Sequence, residues 1–261
     1  MQRAFIAGIL IGAAAPMIGT FLVAKRYALI ADSLAHVSLA GVALGVLLGI
    51  NPVLGALGVA MAAALVMEKL RADKRITAEV ALAMFLSSGL AVAVVLIGFN
   101  NRANINLMSF LFGSITTVGV QDLWIIGVLA ALVVGVVAVC YKQLAYTVFD
   151  EEQAQASGLR VRLLNQALML LAALTVVVSL RVVGGLLVGA LTVVPVAAAS
   201  QLARSFKQTL AYAVGIGILA VLTGLVAAFY LNLAAGGAIV LAALVEFFLC
   251  LPIRRLTRAG S

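Results

Sequence analysis

The chain has 261 residues, 65% of them hydrophobic and 10% charged, with a mean hydropathy of +1.25. Soluble domains carry roughly 45–50% apolar and 25% charged residues, so composition excludes a soluble fold and indicates an integral membrane protein. The net charge of +8 would point to nucleic acid in a soluble protein, but in a membrane protein basic loop ends report orientation and contact with anionic lipid, and no nucleic-acid partner is expected.

Apolar runs of about 20 residues match helices crossing a hydrocarbon core of roughly 30 Å, not the shorter alternating strands of a barrel. In chain order the spans read Ala4 to Ala24, Tyr27 to Ile50, Pro52 to Met67, Glu79 to Phe99, Leu123 to Tyr141, Leu164 to Leu180, Val182 to Ala203, Gln208 to Tyr230 and Ala235 to Leu251. The first run is too long for a signal-peptide core and is expected to be retained. The span from Val182 carries Gly184, Gly185, Gly189 and Pro195, so it is a candidate broken or re-entrant helix. The count is therefore eight or nine. The sequence predicts an all-α, polytopic helical membrane protein with a single transmembrane domain over residues 1–261.

Nine crossings with a cytoplasmic C-terminus collect 14 of the 17 Lys and Arg residues on the inner face: Lys25, Arg26, Lys69, Arg71, Lys74, Arg75, Lys142, Arg160, Arg162, Arg204, Lys207, Arg254, Arg255 and Arg258. Only Arg3, Arg102 and Arg181 fall outside, as the preference for basic cytoplasmic loops requires. Two stretches do not span. Within the outer connection from Asn100 to Asp122, the apolar run Leu107 to Ile115 is too short to cross and is expected to lie at the interface or dip in. On the inner face, between Tyr141 and Leu163, Asp150 can cap a short surface helix. Glu151 and Glu152 suit its positive end, and Gly158 can terminate it.

Ionisable groups in hydrocarbon cost several kcal/mol and default to a functional hypothesis. Asp32, His36 and Glu246 are the three found there. His36 is the single histidine in the chain. A helix rise counted from Lys25 puts it roughly 16 Å into the membrane, near the midplane. Asp32 lies one turn earlier on the same face, the spacing at which one helix offers two ligands to one cation. Two ligands are too few for a closed site, but a two-fold dimer would duplicate the pair around a shared path. The competing readings are mutual neutralisation of two buried groups, and a proton relay.

Glu246 stands about two turns before Arg254, where it can reach water or pair with a neighbouring helix. Glu79 and Asp122, at span ends, read as solvated caps. The pairs Gly8 with Gly12, Gly41 with Gly45 and Gly185 with Gly189 read as close helix approaches. Gly184, Gly185 and Pro195 would break a helix beside a cavity. Cys140 and Cys250 have no metal-binding spacing. No lysine follows a glycine, so no phosphate-binding loop for ATP is present, and the lone histidine leaves no triad. The chain is not expected to be an enzyme.

Three stretches resemble the permease family of ATP-binding-cassette importers for zinc, manganese and related ions. The first runs from Arg26-Tyr27 through Asp32 and His36 to Gly45. The second is Leu111-Phe112-Gly113-Ser114-Ile115. The third couples Phe149-Asp150-Glu151-Glu152-Gln153-Ala154-Gln155-Ala156-Ser157-Gly158-Leu159 with Val183 to Leu191 and Pro195. The likeness extends in order to Gly237-Ala238 and the last span; at Glu246 such permeases are more often apolar, and no role carries over.

The resemblance implies a type II importer-like permease in a bacterial cytoplasmic membrane, working as two copies with two ATPase subunits and an extracellular or periplasmic metal-binding protein. ATP would be bound by the partner, and a divalent metal, with zinc favoured over manganese or iron, would be the cargo. Residues Asp150, Glu151, Glu152, Gln153, Ala154 and Gly158, within a cytoplasmic segment near 142–163, would form the element that couples to the ATPase. A proton-coupled secondary transporter or channel, and a purely structural membrane protein, are the rival readings.

Overall fold

The computed structural model describes residues 2–73, 77–99, 107–113 and 119–258. It contains α1 (Gln2–Ala24), α2 (Ile30–Leu47), α3 (Pro52–Ala72), α4 (Ala78–Phe99), α5 (Leu107–Phe112), α6 (Val120–Phe149), α7 (Glu151–Ala156), α8 (Val161–Ser179), α9 (Val188–Leu202), α10 (Phe206–Leu231) and α11 (Ala235–Arg258). No strand occurs among the described residues. Among the described residues eight helices are long and apolar enough to cross a membrane, and α9 is a shorter apolar helix.

The expected break is real, but its position differs from the reading at Pro195. The chain leaves helix between α8 and α9, around Gly184 at φ +87°, whereas Pro195 lies buried inside a continuous α9. A proline forfeits one backbone bond within a helix, and α9 tolerates that loss. At 15 residues, α9 is about 22 Å long.

Arg181, just before the break, pairs with Asp122 in the first turn of α6. Phe206, just after α9, packs on Phe21 and Phe149 near the last turns of α1 and α6. The segment 181–206 therefore runs from one end of the bundle to the other, and the broken span makes a ninth pass. Lys25, the α6–α8 connection and the end of α11 all lie at one end, opposite Arg181. Lys74 and Arg75, from the same set of expected inner cations, fall outside the described residues.

Burial divides the bundle. In α2, 72% of the spanning residues are buried, against 22% in α4 and in α6. Every residue from 171 to 180 of the α8 region is buried. Close helix approach has the expected cause in two places. Gly12 of α1 lies on Gly217 of α10, where an added Cβ would stand 2.9 Å from a carbonyl oxygen; Gly41 of α2 lies on Gly55 of α3, where the same distance would be 2.6 Å.

The thirty-residue α6, about 45 Å long, exceeds a bilayer core. The inner stretch expected as a connection from Tyr141 is thus helical to Phe149 before α7 begins. Its end is held by aromatic contacts among Phe21, Tyr141, Phe149 and Phe206.

The outer run Leu107 to Ile115 forms α5 as far as Phe112, with Phe110 buried; Ser114 and Ile115 lie outside the described residues, as do 100–106 of the same connection. Gly185 and Leu186 donate their N–H groups to the carbonyls of Phe110 and Leu111 at 2.7 and 3.1 Å. Thus α5 satisfies the backbone that the broken span exposes, as burial in an apolar bundle demands. The approach needs glycine on both sides: a Cβ on Gly184 would stand 2.5 Å from the carbonyl carbon of Phe112, and one on Gly113 2.7 Å from that of Val182.

Candidate functional site

Helix α1 ends in a Schellman turn, with Tyr27 N–H donating to Leu22 O at 2.7 Å and Arg26 N–H to Val23 O at 3.0 Å. Arg26 takes the left-handed position at φ +63°, a conformation that favours glycine. Because this turn delays α2 until Ile30, Asp32 sits in the first turn of α2. His36 lies only about 9 Å along the helix from Ile30. The pair is therefore nearer the Lys25 end than a continuous rise from Lys25 would place it.

Asp32 and His36 share one face and are both half-buried, and His36 Nδ1 is buried with no hydrogen-bond partner among the described residues. Between them Ser33 donates to the carbonyl of Leu29 or of Leu82, at 3.1 and 3.0 Å, tying α2 to α4. Gly89 presses α4 onto the backbone at His36 and Val37, where a Cβ would stand 2.8 and 2.7 Å away. On the opposite flank the Asp32 carboxylate lies against Gly189 at the start of α9. Among the described residues no group of three or more His, Cys, Asp or Glu side chains could hold a metal. Asp32 and His36 thus stand one turn apart, with a buried imidazole nitrogen that no described residue engages.

The α7 segment has the local structure its sequence predicts. Asp150 accepts the Gln153 N–H at 2.8 Å, and Gly158, at φ +83°, closes the helix with bonds from Gly158 N–H to Gln155 O and from Leu159 N–H to Ala154 O. Ala154 is buried, while Glu152 and Gln153 are exposed.

Glu151 does more than favour a helix end. Lys25 Nζ meets its Oε1 at 2.6 Å and also donates to Asn165 Oδ1. Asn165 in turn donates to Glu151 at 3.2 Å. Arg71 approaches the same carboxylate at 3.8 Å while gripping Glu68 through two bonds of 2.7 and 2.9 Å, and its guanidinium lies 5.3 Å from the Tyr27 ring centre. This cluster joins α7 to α3, α8 and the corner that opens α2.

Burial pushes the Lys25 ammonium below its ordinary value, and the bond it donates to Glu151 only partly offsets this. For Glu151, burial raises the carboxyl, but the Lys25 bond with the charges of Lys25 and Arg71 outweighs it and holds the group below the usual carboxylate range. Tyr27, mainly through burial, is pushed up to about 12 and stays neutral. Neither Lys25 nor Asn165 carries a sequence signal for this cluster, because the partners lie far apart in the chain.

The remaining candidates stay apart from this ion cluster. Gly184 and Gly185 line the junction with α5, at the Arg181 end. Asp122, expected as a solvated cap, does accept the Gly119 N–H at 3.0 Å but also pairs with Arg181 at 3.5 Å. Arg181 in turn lies 5.0 Å from the Phe110 ring centre. Glu246, on α11, joins neither cluster: its Oε2 is buried without a partner among the described residues. Cys140 and Cys250 are both free.

Residues 1–254 match the model of a family described as the ABC 3 transport family. A "Probable metal transport system membrane protein" of Treponema pallidum (strain Nichols) is 37% identical over 261 residues, spanning 100% of this chain and 98% of the relative. The manganese transport system membrane protein MntC of Listeria innocua is 33% identical over 95% of this chain and 89% of its own length. The high-affinity zinc uptake system membrane protein ZnuB of Haemophilus influenzae is 29% identical over 95% of each. Among solved structures, a chain of PsaBC from Streptococcus pneumoniae in complex with Fab superposes with a TM-score of 0.88 at 31% identity, covering 100% of this chain and 95% of that one. The helical bundle with its broken span, the matched family model and these full-length likenesses agree: the chain belongs to the ABC 3 transport family, as a multi-pass membrane permease of metal-ion ATP-binding-cassette importers.

Proposed function

We propose that this permease imports a divalent transition metal by alternating access, with Asp32 and His36 meeting the ion in transit and ATP hydrolysed on a separate ATPase subunit. The observation that carries the reading is the pair itself: a carboxylate and an imidazole one turn apart on a mostly buried span, with His36 Nδ1 unpartnered. Two side chains from one chain suit transfer rather than storage, the coordination being completed by water or by a second copy of the permease.

Carboxylate with imidazole suits zinc, manganese and ferrous iron better than magnesium or calcium. The sequence reading favoured zinc. Similarity to the Listeria manganese protein and to the Haemophilus zinc protein supports both cargoes, so manganese stands beside zinc.

The end that carries Lys25 and α7 is the cytoplasmic one, by its excess of basic residues, with the C-terminus on that side. There α7 docks into the ATPase, its exposed Glu152 and Gln153 facing the partner and its Glu151 tied back to Lys25. An extracellular metal-binding protein delivers cargo at the Arg181 end. Reconstitution with the ATPase and binding protein, followed by uptake of radiolabelled zinc and manganese, tests the reading. Uptake should require ATP and ignore a collapsed proton gradient. Uptake that follows the proton gradient without ATP would establish the secondary-transporter alternative instead, and the faster metal identifies the cargo.

A further inference from the structure

The third glycine pair of the sequence behaves unlike the other two. Gly8 and Gly12 face α10, and Gly41 and Gly45 face α3. Gly189 faces an ionisable side chain instead: a Cβ there would overlap Asp32 Oδ1 and stand 2.8 Å from Oδ2. Gly189 is the second residue of α9, has no positive φ to justify it, and costs helix stability relative to alanine. The volume its missing side chain vacates is filled by the carboxylate. That carboxylate consequently packs against the backbone at the first turn of α9.

We propose that Gly189 is a positioning residue for the transfer step. Its missing side chain leaves the space in which the Asp32 carboxylate lies against α9, and so sets where that carboxylate stands relative to His36. This rests on the reading of Asp32 and His36 as the residues that meet the metal.

Gly19 provides the comparison. It packs on the same helix, where a Cβ would stand 2.9 Å from the backbone carbon of Thr192, and the three atoms nearest that Cβ all belong to Thr192. Gly189→Ala, Gly19→Ala and Asp32→Ala would be made singly, and each glycine variant combined with Asp32→Ala, in the permease purified with its ATPase.

Gly189→Ala should lower the unfolding temperature, or the yield of folded complex, and Asp32→Ala in the same chain should restore it to that of Asp32→Ala alone. The loss from Gly19→Ala should be the same in both backgrounds. In proteoliposomes with the binding protein, Gly189→Ala should cut metal uptake by about tenfold or more. It should also change the ratio of zinc to manganese uptake by about threefold or more, a ratio that loss of folded protein alone does not move. Equal losses of stability with and without Asp32, or an unchanged ratio, overturn the role of Gly189. If Asp32→Ala transports both metals at the wild-type rate, the underlying reading of Asp32 fails, whatever Gly189→Ala does.

Discussion

Lys25 is a cation with a side chain only 4% exposed, held by Glu151 and Asn165. Replacing Glu151 by Gln keeps its shape and removes the charge that offsets the burial of Lys25, which should cost roughly 1–3 kcal/mol of unfolding free energy at neutral pH, measured by thermal or denaturant unfolding in detergent. The pH dependence follows from the lowered carboxyl. A carboxylate with a depressed folded value stabilises above its unfolded value, and that stability is lost as pH falls through the folded one. The gap between wild type and Glu151→Gln should therefore close on acidification below the carboxylate range. For Lys25, whose folded value is depressed, the sign reverses: its charge is a cost at neutral pH that is relieved on the alkaline side.

Asp32 and His36 were legible because ionisable groups stand out in an apolar span. Glu151 was legible as a helix-end charge alone, since spacing within α7 says nothing about Lys25, 126 residues away. Gly189 was read as packing for the same reason: its partner is a side chain on another helix.

Among the elements, the broken span tests local reasoning most sharply. Gly184 and Gly185 marked the break correctly, whereas Pro195 did not, since α9 keeps its proline inside the helix. What the sequence did not reveal was that the short run from Leu107 meets this break, the α5 carbonyls receiving the freed N–H groups of Gly185 and Leu186.

Gly184→Ala combines a positive φ with a collision against the backbone of α5. It should destabilise the protein by roughly 1–3 kcal/mol and raise amide exchange in 107–113 and 180–187 together. Pro195→Ala should leave exchange at 180–187 unchanged, because the break does not depend on it. The delayed start of α2 was equally hidden. A Schellman turn with arginine in the glycine position has no compositional mark, and it moves Asp32 and His36 toward the Lys25 end.

Across the whole molecule, the hydropathy of the runs and the distribution of basic residues led to eight or nine spans, because both follow from the bilayer rather than from long-range packing. The ion cluster at one end and the α5 junction at the other depend on contacts between distant segments and emerge only in the fold. Together they place Asp32 and His36 on a buried helix, with the α7 tether near its start and α9 against its carboxylate. Under the proposed function, an ATPase docked on α7 and an ion at Asp32 and His36 would act on neighbouring parts of one helix corner.

The decisive measurement is ATP-dependent uptake of radiolabelled zinc and manganese by the reconstituted complex, with Asp32→Ala and His36→Ala compared against wild type at equal amounts of folded protein. Each substitution should reduce uptake of the cargo metal by about tenfold or more. Wild-type rates from both variants would contradict the claim that this pair carries the metal.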